Sequence, residues 1–189
     1  MRIVVNYGPM FAGKSTAIYE MVTRNHPYNT IVFKPITDTR DKINEIVTHD
    51  GEKLSCFQMV GAWGIIDKVK SVYKMLKSLQ SSAEMRVIID EFQFFPEDTA
   101  YTLRANLKTL DINLFIFGLD QYSDGREWPA MKNARDIADV ENVFSAVCAK
   151  CGSIYAKRTQ KLKSTGNATE VGGKDLYEPR CDNCWEPRT

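Results

Sequence analysis

The sequence predicts an α/β protein whose parallel sheet is flanked by helices, followed by a small C-terminal region built around a metal ion. Two observations predict the sheet: apolar segments of strand length alternate with helix-compatible segments, and the first strand leads into a glycine-rich loop. Continuous apolar strands between helices are typical of parallel sheets covered on both faces. Four cysteines arranged as two Cys-x-x-Cys pairs predict the C-terminal region.

The glycine-rich loop at residues 8–16 reads Gly-Pro-Met-Phe-Ala-Gly-Lys-Ser-Thr and fits the phosphate-binding pattern G-x-x-x-x-G-K-[S/T]. A β-branched segment, residues 2–7, precedes it, and a helix-compatible segment without Gly or Pro before Pro27 follows it. This is the required order of strand, loop and helix, which disfavours a chance Gly/Lys loop. We expect the loop N–H groups to face phosphates, Lys14 to reach the β- and γ-phosphates, and Ser15 to hold Mg²⁺.

Apolar periodicity predicts the other strands and helices. Strand-like runs follow the first helix at residues 30–33, 87–90 and 113–117. Two sets of apolar residues recur at three- and four-residue spacing, and each set predicts one amphipathic helix. They are Ile65, Ile66, Val69, Val72, Tyr73, Leu76 and Leu79 in the first set, and Leu103, Leu107 and Leu110 in the second.

Two stretches depart from this alternation. Residues 35–61 are polar and irregular, and we expect either an active-site loop or a surface excursion there. The character of the chain changes again after about residue 144, where the cysteine pairs begin. We therefore predict two domains, residues 1–143 and residues 144–189.

The strand at residues 87–90 ends in two consecutive carboxylates, Asp90 and Glu91. In P-loop proteins an Asp at such a strand end lies beside the phosphate loop and helps to hold Mg²⁺, directly or through water. Because neighbouring side chains on a strand point in different directions, Glu91 can take a second role and accept a proton from an attacking hydroxyl or water. A solvated strand end is the alternative without chemistry.

The cysteine pairs, Cys148 with Cys151 and Cys181 with Cys184, have the spacing of two zinc knuckles. Four thiolates close the tetrahedral shell of Zn²⁺, so no position remains for catalysis and the site should be structural. The stretch between the pairs, residues 152–180, exceeds the usual roughly 15–20 residues and implies a longer loop extending from the metal. A pair of redox dithiols is the rival interpretation.

Composition limits the partners of the chain. Its 189 residues include 25 basic and 24 acidic side chains, a net charge of +1, which gives no general attraction to nucleic acid or to an anionic membrane. No apolar run approaches the roughly 18–20 residues that span a bilayer, and no signal peptide is recognised. We therefore expect a soluble, cytoplasmic protein with neither a nucleic-acid nor a membrane partner.

Six blocks of sequence, in order, extend through almost the whole chain. They are residues 8–16; Lys34-Pro35 with Asp38-Thr39-Arg40 and Thr48-His49-Asp50; Asp90-Glu91-Phe92-Gln93-Phe94-Phe95; Gly118-Leu119-Asp120; Cys148 to Gly152 with Arg158-Thr159-Gln160-Lys161; and Val171-Gly172-Gly173 with Tyr177 to Cys184. Together they resemble the zinc-containing, type II thymidine kinases. The resemblance implies a RecA-like P-loop domain at residues 1–143 and a zinc-binding lasso at residues 144–189 that closes over the nucleoside. It also implies a homotetramer that transfers the γ-phosphoryl group of ATP, with Mg²⁺, to the 5′-hydroxyl of thymidine.

The resemblance assigns roles at matching positions, with Glu91 as the general base on the 5′-hydroxyl. The residues expected to hold ATP and Mg²⁺ are Gly8, Met10, Phe11, Ala12, Gly13, Lys14, Ser15, Thr16, Asp38, Arg40, Asp90 and Gln93. The residues expected to contact the nucleoside are Met10, Phe94, Leu119, Tyr122, Trp128, Thr159, Val171, Gly172 and Tyr177. Apolar and aromatic members of this set suit the slot that a pyrimidine needs, and each of them is equally consistent with a place in the core.

Three other functions are consistent with parts of the sequence. Another deoxynucleoside or nucleotide kinase would share the phosphate loop. A zinc-ribbon ATPase that acts on nucleic acid would need a salt-sensitive affinity, which the near-neutral charge disfavours. An interaction module without catalysis is disfavoured because Lys14, Ser15 and Glu91 are all present.

Overall fold

A computed structural model of the chain describes residues 1–24, 29–38, 44–48, 50–81, 84–163, 170 and 172–188. The helices in these residues are α1, Lys14–Thr23; α2, Ala62–Ser78; α3, Thr99–Leu107; and α4, Pro129–Asp136. The strands are β1, Arg2–Tyr7; β2, Asn29–Pro35; β3, Glu45–Val47; β4, Lys53–Ser55; β5, Phe57–Met59; β6, Met85–Ile89; β7, Ile112–Gly118; β8, Val140–Val143; β9, Arg158–Lys161; and β10, Tyr177–Arg180. A short 3₁₀ turn, Phe92–Phe94, follows β6.

In the described residues the central sheet has six strands, all parallel, in the order β5-β2-β6-β7-β1-β8. The predicted parallel sheet with flanking helices is therefore confirmed. The strands that carry the predicted chemistry, β1, β6 and β7, lie in the interior of the sheet. Because parallel strands end at the same edge, the turns that follow these three strands lie side by side.

Alternate residues of the central strands are buried on opposite faces of the sheet, as the two-residue period of a strand requires. Val87 and Ile89 of β6 belong to the core that includes α2, α3 and α4. Ile88 belongs to the core on the other face, with Ile18 of α1 and Phe117 of β7. Helices on both faces explain why these strands are continuously apolar rather than alternating.

Two helices end earlier than the apolar spacing predicts. α2 ends at Ser78, and Leu79 lies just beyond it with 70% of its surface exposed. α3 ends at Leu107, and Leu110 lies in the turn that follows. The Leu110 N–H donates to the Leu107 carbonyl, and the Leu110 side chain packs against the core. The periodicity extends past the helix ends because tight turns at helix termini keep a spacing of about three residues.

The region at residues 35–61 contains more regular structure than the sequence predicts. β3 and β4 form an antiparallel hairpin in which Ile46 pairs with Leu54, and β5 pairs with β2 at the edge of the central sheet. Ile46 is buried in the same core as Ile18 of α1. The hairpin is thus packed onto the face of the sheet that carries α1.

The C-terminal residues form a small unit of the cysteine pairs and the antiparallel strands β9 and β10. The predicted boundary falls where β8 ends, and there the Phe144 N–H donates to the Tyr7 carbonyl at 2.7 Å. The Ser123 hydroxyl donates to the Arg188 carbonyl at 2.9 Å. The unit therefore contacts the sheet region at several points, and its description as a separate domain stays a prediction.

In the part of the chain that the structure describes, no helix combines the length and the apolar character needed to cross a membrane.

Candidate active site

The phosphate loop connects the end of β1 to the start of α1 and has an unusual backbone. Gly8, Phe11 and Gly13 all have positive φ angles, of 154°, 63° and 82°. Only glycine adopts such angles without strain, so Phe11 is held in place by its surroundings. A Cβ atom at Gly8 would overlap the carbonyl oxygen of Phe144. The loop can approach the C-terminal residues this closely because position 8 is a glycine.

Lys14 is the first residue of α1 and is buried beneath the loop, with 7% of its surface exposed. Its ammonium group donates to the carbonyl oxygens of Gly8 at 2.9 Å and Pro9 at 2.7 Å. These contacts keep a positive charge at the N-terminus of α1, where the helix dipole also favours an anion. The sequence-predicted phosphate site therefore has the charge and backbone shape that a phosphate requires.

A cavity of about 380 Å³ opens beside this loop. Its lining combines the predicted phosphate-loop residues with Glu91, Leu119 and the turn of the β3–β4 hairpin. The lining residues are Met10, Phe11, Ala12, Gly13, Lys14, Ser15, Thr16, Val47, Thr48, Asp50, Glu91 and Leu119. Thr48 and Asp50 were not among the predicted site residues. The polar Thr-His-Asp-Gly sequence at residues 48–51 was the available signal for them.

The two carboxylates after β6 face different surroundings, as predicted. Asp90 is buried, with 4% exposure, and its carboxylate accepts a hydrogen bond from the Glu91 N–H at 2.9 Å. The Asp90 N–H donates to the Phe33 carbonyl and so continues the β2–β6 pairing. Glu91 has left-handed backbone angles, φ 51° and ψ 41°, and its side chain lines the cavity. A non-glycine residue in this conformation is under strain, which is common where a side chain must be aimed at a site.

Gln93 is buried between the ends of β6 and β7. Its side-chain N–H group donates to the Glu91 carboxylate, and its oxygen accepts from the Leu119 N–H at 3.0 Å. A Cβ atom at Gly118 would lie only 2.7 Å from that oxygen, so the glycine makes room for the amide. The sequence predicted a contact with ATP or Mg²⁺ for Gln93. In the structure its amide contacts Glu91.

The predicted nucleoside residues are divided between the cavity beside the phosphate loop, an aromatic cluster and the C-terminal unit. Met10 and Leu119 line the cavity, and the Met10 N–H donates to the Thr159 hydroxyl at 3.1 Å. The aromatic residues form a cluster of their own: the rings of Tyr122 and Trp128 stack with centroids 3.7 Å apart, and Phe94 meets Trp128 edge-on at 5.4 Å.

Of the remaining predicted site residues that the structure describes, Tyr177 and Gly172 lie in the C-terminal unit and Asp38 lies after β2. Tyr177 lines a separate cavity of about 410 Å³ together with Phe11. A Cβ atom at Gly172 would overlap the side chain of Leu176, which explains the glycine there. Asp38 is buried after β2, with 2% exposure. Arg40 and Val171 lie outside the described residues.

A polar cluster without an assigned role lies on the other side of Gly8, and its member Asp120 belongs to the block Gly118-Leu119-Asp120. Tyr7, Asp120 and Arg135 line a third cavity of about 350 Å³. Burial raises the pKa of Asp120, although the positive charges of Lys14 and Arg135 oppose this shift. The guanidinium group of Arg135 lies over the Tyr7 ring, 4.4 Å from its centroid. The available signal was Asp120 itself, which follows the end of β7 as Asp90 follows β6.

The four paired cysteines converge on one point. The Sγ atoms of Cys148, Cys151, Cys181 and Cys184 all lie within 4.8 Å of one another. Those of Cys151 and Cys181 are 3.7 Å apart, close to the roughly 3.8 Å edge of a tetrahedron with metal–sulfur bonds of about 2.3 Å. Each cysteine pair lies in a tight turn, in which the Gly152 N–H donates to the Cys148 carbonyl and the Cys184 N–H donates to the Cys181 carbonyl. Gly152 has a left-handed φ of 76°. The donor set and its geometry fit a metal ion such as zinc.

The lowered pKa of one of these thiols also favours binding of a cation. Burial opposes ionisation of Cys148, but hydrogen bonds from the N–H groups of Cys181, Cys151 and Lys150 lower the pKa of its thiol to about 6. The neighbouring Cys151 and Cys181, together with some burial, raise the pKa of the Cys184 thiol to about 12. The Cys148 thiolate therefore forms readily, whereas a bound cation would be needed to ionise Cys184 at neutral pH.

The fold and the site are those of a P-loop protein, in which the phosphate loop lies beside a pair of carboxylates. A family model described as thymidine kinase matches residues 1–185. The thymidine kinase of Roseiflexus sp. (strain RS-1) is 30% identical over 199 residues, covering 98% of this chain and 95% of the relative. The thymidine kinase of Mesoplasma florum is 30% identical over 188 residues, covering 95% of this chain and 88% of the relative. The chain belongs to the thymidine kinase family and is therefore a kinase, for which the family implies ATP and a divalent metal.

Replacing Gly8 by Ala is expected to lower the free energy of unfolding by about 2–3 kcal/mol, because the new methyl group would overlap Phe144 in a strained backbone. Urea unfolding measures the change. Gly173→Ala is the matched control, since among the described residues a Cβ atom there meets just the Asp175 carboxylate, at 3.5 Å. Equal unfolding free energies for the two variants would contradict the close approach.

Proposed function

We propose that this chain is a thymidine kinase that transfers the γ-phosphoryl group of ATP to the 5′-hydroxyl of thymidine, and also of deoxyuridine. The product, a nucleoside 5′-monophosphate, would serve DNA precursor salvage. One observation carries the proposal: Lys14, Ser15 and the carboxylate residue Glu91 line a single cavity in a member of the thymidine kinase family. Phosphoryl transfer needs positioning, charge neutralisation and a proton acceptor, and these residues supply all three.

The phosphate loop would position the triphosphate. Its N–H groups, with Gly8 and Gly13 allowing the required curvature, would bind the phosphate oxygens, and Lys14 would exchange its loop carbonyls for the β- and γ-phosphates. The Ser15 hydroxyl and the buried Asp90 carboxylate fit the hard oxygen ligands of Mg²⁺, which would neutralise charge on the triphosphate. Asp38 and Arg40 are proposed to act near the metal and phosphates.

Glu91 is the proposed general base. As the 5′-oxygen of the nucleoside bonds to the γ-phosphorus, its proton passes to the Glu91 carboxylate and the bond to the β–γ bridging oxygen breaks. The resulting ADP leaves with the bonding electron pair. The hydrogen bond from Gln93 holds the carboxylate in one orientation, which favours a proton acceptor that must be aimed.

Thymine recognition is assigned to the surroundings of Met10 and Leu119, with Phe94, Tyr122 and Trp128 forming an aromatic wall. The contact between the Met10 N–H and Thr159 supports a role for the C-terminal residues, because it joins β9 directly to the phosphate loop. We propose that Val171, Gly172 and Tyr177 complete the pocket in a lasso that reads the base largely through main-chain groups.

Three further properties belong to this proposal. The cysteine cluster would hold a structural Zn²⁺, which would pin both ends of the lasso as the second of two domains. Four thiolates leave no open coordination position, so this ion would take no part in the chemistry. The enzyme would act in the cytoplasm as a homotetramer.

The direct test is phosphate transfer from labelled ATP, with Mg²⁺, to thymidine, deoxyuridine, deoxycytidine and deoxyadenosine in parallel. We expect labelled 5′-monophosphate from thymidine and deoxyuridine, with little from the other two, because a thymine-shaped pocket leaves their amino groups unpaired. Preferred phosphorylation of another nucleoside would assign a different kinase. ATP hydrolysis without any nucleoside acceptor would contradict the kinase proposal, and nucleic acid would then be tested as the missing partner.

Replacing Glu91 by Gln is expected to lower kcat by about 10²–10⁴-fold, because the amide keeps the shape of the side chain but accepts no proton. The dissociation constant of ATP should change by less than about twofold, since the phosphate loop is intact. Glu97→Gln removes a charge from an exposed carboxylate nearby on the same connection and serves as control. Unchanged turnover in Glu91→Gln would remove this residue from the mechanism.

Metal analysis of the purified protein tests the zinc site. We expect about one zinc ion per chain, strongly reduced in Cys181→Ser, together with a lower midpoint of thermal unfolding, because the site stabilises the surrounding turns. Cys56→Ser is the matched control: Cys56 is buried in a different core cluster and should leave the zinc content unchanged. A zinc-free protein of full stability would point instead to the redox interpretation.

A further inference from the structure

Lys161, the last residue of β9, is completely buried: its side chain has 0% exposure. A lysine is almost never fully buried without a partner, because removing an ammonium group from water is costly. The mechanism proposed above does not use Lys161. Its burial beside the candidate active site therefore requires an explanation of its own.

Among the described residues one partner is Glu170, whose carboxylate lies 3.2 Å from the Lys161 ammonium group. Tyr177 contacts the same residue in a second way, because its hydroxyl donates to the Glu170 main-chain carbonyl at 2.5 Å. Burial and the negative charge of Glu170 raise the pKa of Tyr177. One residue is thus bound at its side chain and at its backbone.

The two contacts come from directly paired positions. Tyr177 of β10 is opposite Lys161 of β9 in the antiparallel ladder, so their side chains lie next to each other on the same face. Leu162 and Leu176 continue the pairing with a main-chain hydrogen bond of 2.9 Å. A hairpin of fixed register therefore presents both groups to Glu170 at once.

The same strand also contacts the phosphate loop. Thr159 is two residues before Lys161, so both side chains point to the same face of β9, and the Thr159 hydroxyl accepts the Met10 N–H. Met10 lines the cavity that contains Glu91. β9 thus fixes Glu170 in relation to the residues that line the candidate active site.

We infer that Lys161 is a positioning residue for the nucleoside, acting by anchoring Glu170. Glu170 directly precedes Val171 and Gly172, which are proposed above to contact the base, so this inference rests on the proposed thymidine kinase function. Because the ammonium group is buried, it favours the arrangement in which the Glu170 carboxylate lies beside it. Glu170 itself is partly exposed, at 32%, so it remains solvated when the pair is broken.

Steady-state kinetics of Lys161→Met test the anchor. Methionine fills a similar volume without the charge, and the partly exposed Glu170 carboxylate can turn to water, so the variant should fold. We expect the KM for thymidine to rise about tenfold and the KM for ATP to stay within about twofold, because only the nucleoside side depends on Glu170. Lys161→Arg, which retains the positive charge, should restore much of the thymidine affinity.

A matched control and a double-mutant cycle separate anchoring from general damage. Lys132→Met breaks an exposed ion pair with Asp136, 2.9 Å apart on α4, and should leave both KM values unchanged. Glu170→Gln should raise the KM for thymidine as Lys161→Met does, and the double variant should add little to either single change. Additive effects, or an equal rise in the KM for ATP, would overturn the inference.

Two outcomes distinguish this inference from the proposed function. If the unsubstituted chain phosphorylates thymidine and Lys161→Met keeps the same KM for thymidine, the anchor is wrong and the kinase assignment stands. If the unsubstituted chain phosphorylates no thymidine, the proposed function is wrong, and the anchor fails with it. Zinc content and thermal unfolding of each variant identify any that fails to fold. If Lys161→Met is among them, Glu170→Asp takes its place with the same expected rise in the KM for thymidine, because it keeps a charge opposite the buried ammonium group but shortens the side chain.

Discussion

The parallel pairing of β1, β6 and β7 is the constraint on which the candidate active site depends. In this register Tyr7 lies opposite Gly118, and Ile89 lies opposite Ile116, so the three strands end close to one line across the sheet. Each strand is followed at once by a part of the site: the phosphate loop after β1, the carboxylate pair after β6, and Leu119 after β7. Groups that are far apart in the sequence therefore meet without any long connection. An antiparallel arrangement would place the turn after β6 at the opposite edge from the phosphate loop, and no shared cavity would form.

Side-chain contacts and strained backbone conformations position the residues at the strand ends more closely than strand pairing alone. Glu91 has a left-handed conformation that the free chain would rarely adopt, and the Gln93 amide, held by the Leu119 N–H, contacts its carboxylate. The position of the Glu91 carboxylate therefore depends on the ends of two strands and not on its own turn alone. Phe11 is held in a comparable conformation within the phosphate loop. Such strain persists only when surrounding contacts over-determine it, and at Glu91 those contacts come from Gln93 and, through it, from the end of β7.

The sequence predicted those parts of the fold and site whose signals are local. The phosphate loop, the strand before Asp90 and the cysteine pairs each have residue types whose spacing limits them to few structures. The hydrogen bonds of Gln93 were not predictable in this way, because its partner Leu119 is distant in sequence and only the β6–β7 pairing brings them together. Thr48 was missed for a similar reason: a short polar stretch does not indicate that it will form a hairpin turn at the cavity. The end of α2 was misjudged because Leu79 continues the apolar spacing into a turn.

The C-terminal unit is better understood as part of the site than as an appendage. Ala12 of the phosphate loop packs against the cluster that contains Cys148 and Cys181, and the Met10 N–H donates to Thr159. The phosphate loop is thus supported by the sheet on one side and by the cysteine cluster on the other. A metal ion that orders the cysteine turns would thereby also order the side of the phosphate loop that contains Met10 and Ala12. Closed coordination suits this purpose, because a support that exchanged ligands during turnover would not keep the two sides of the loop in register.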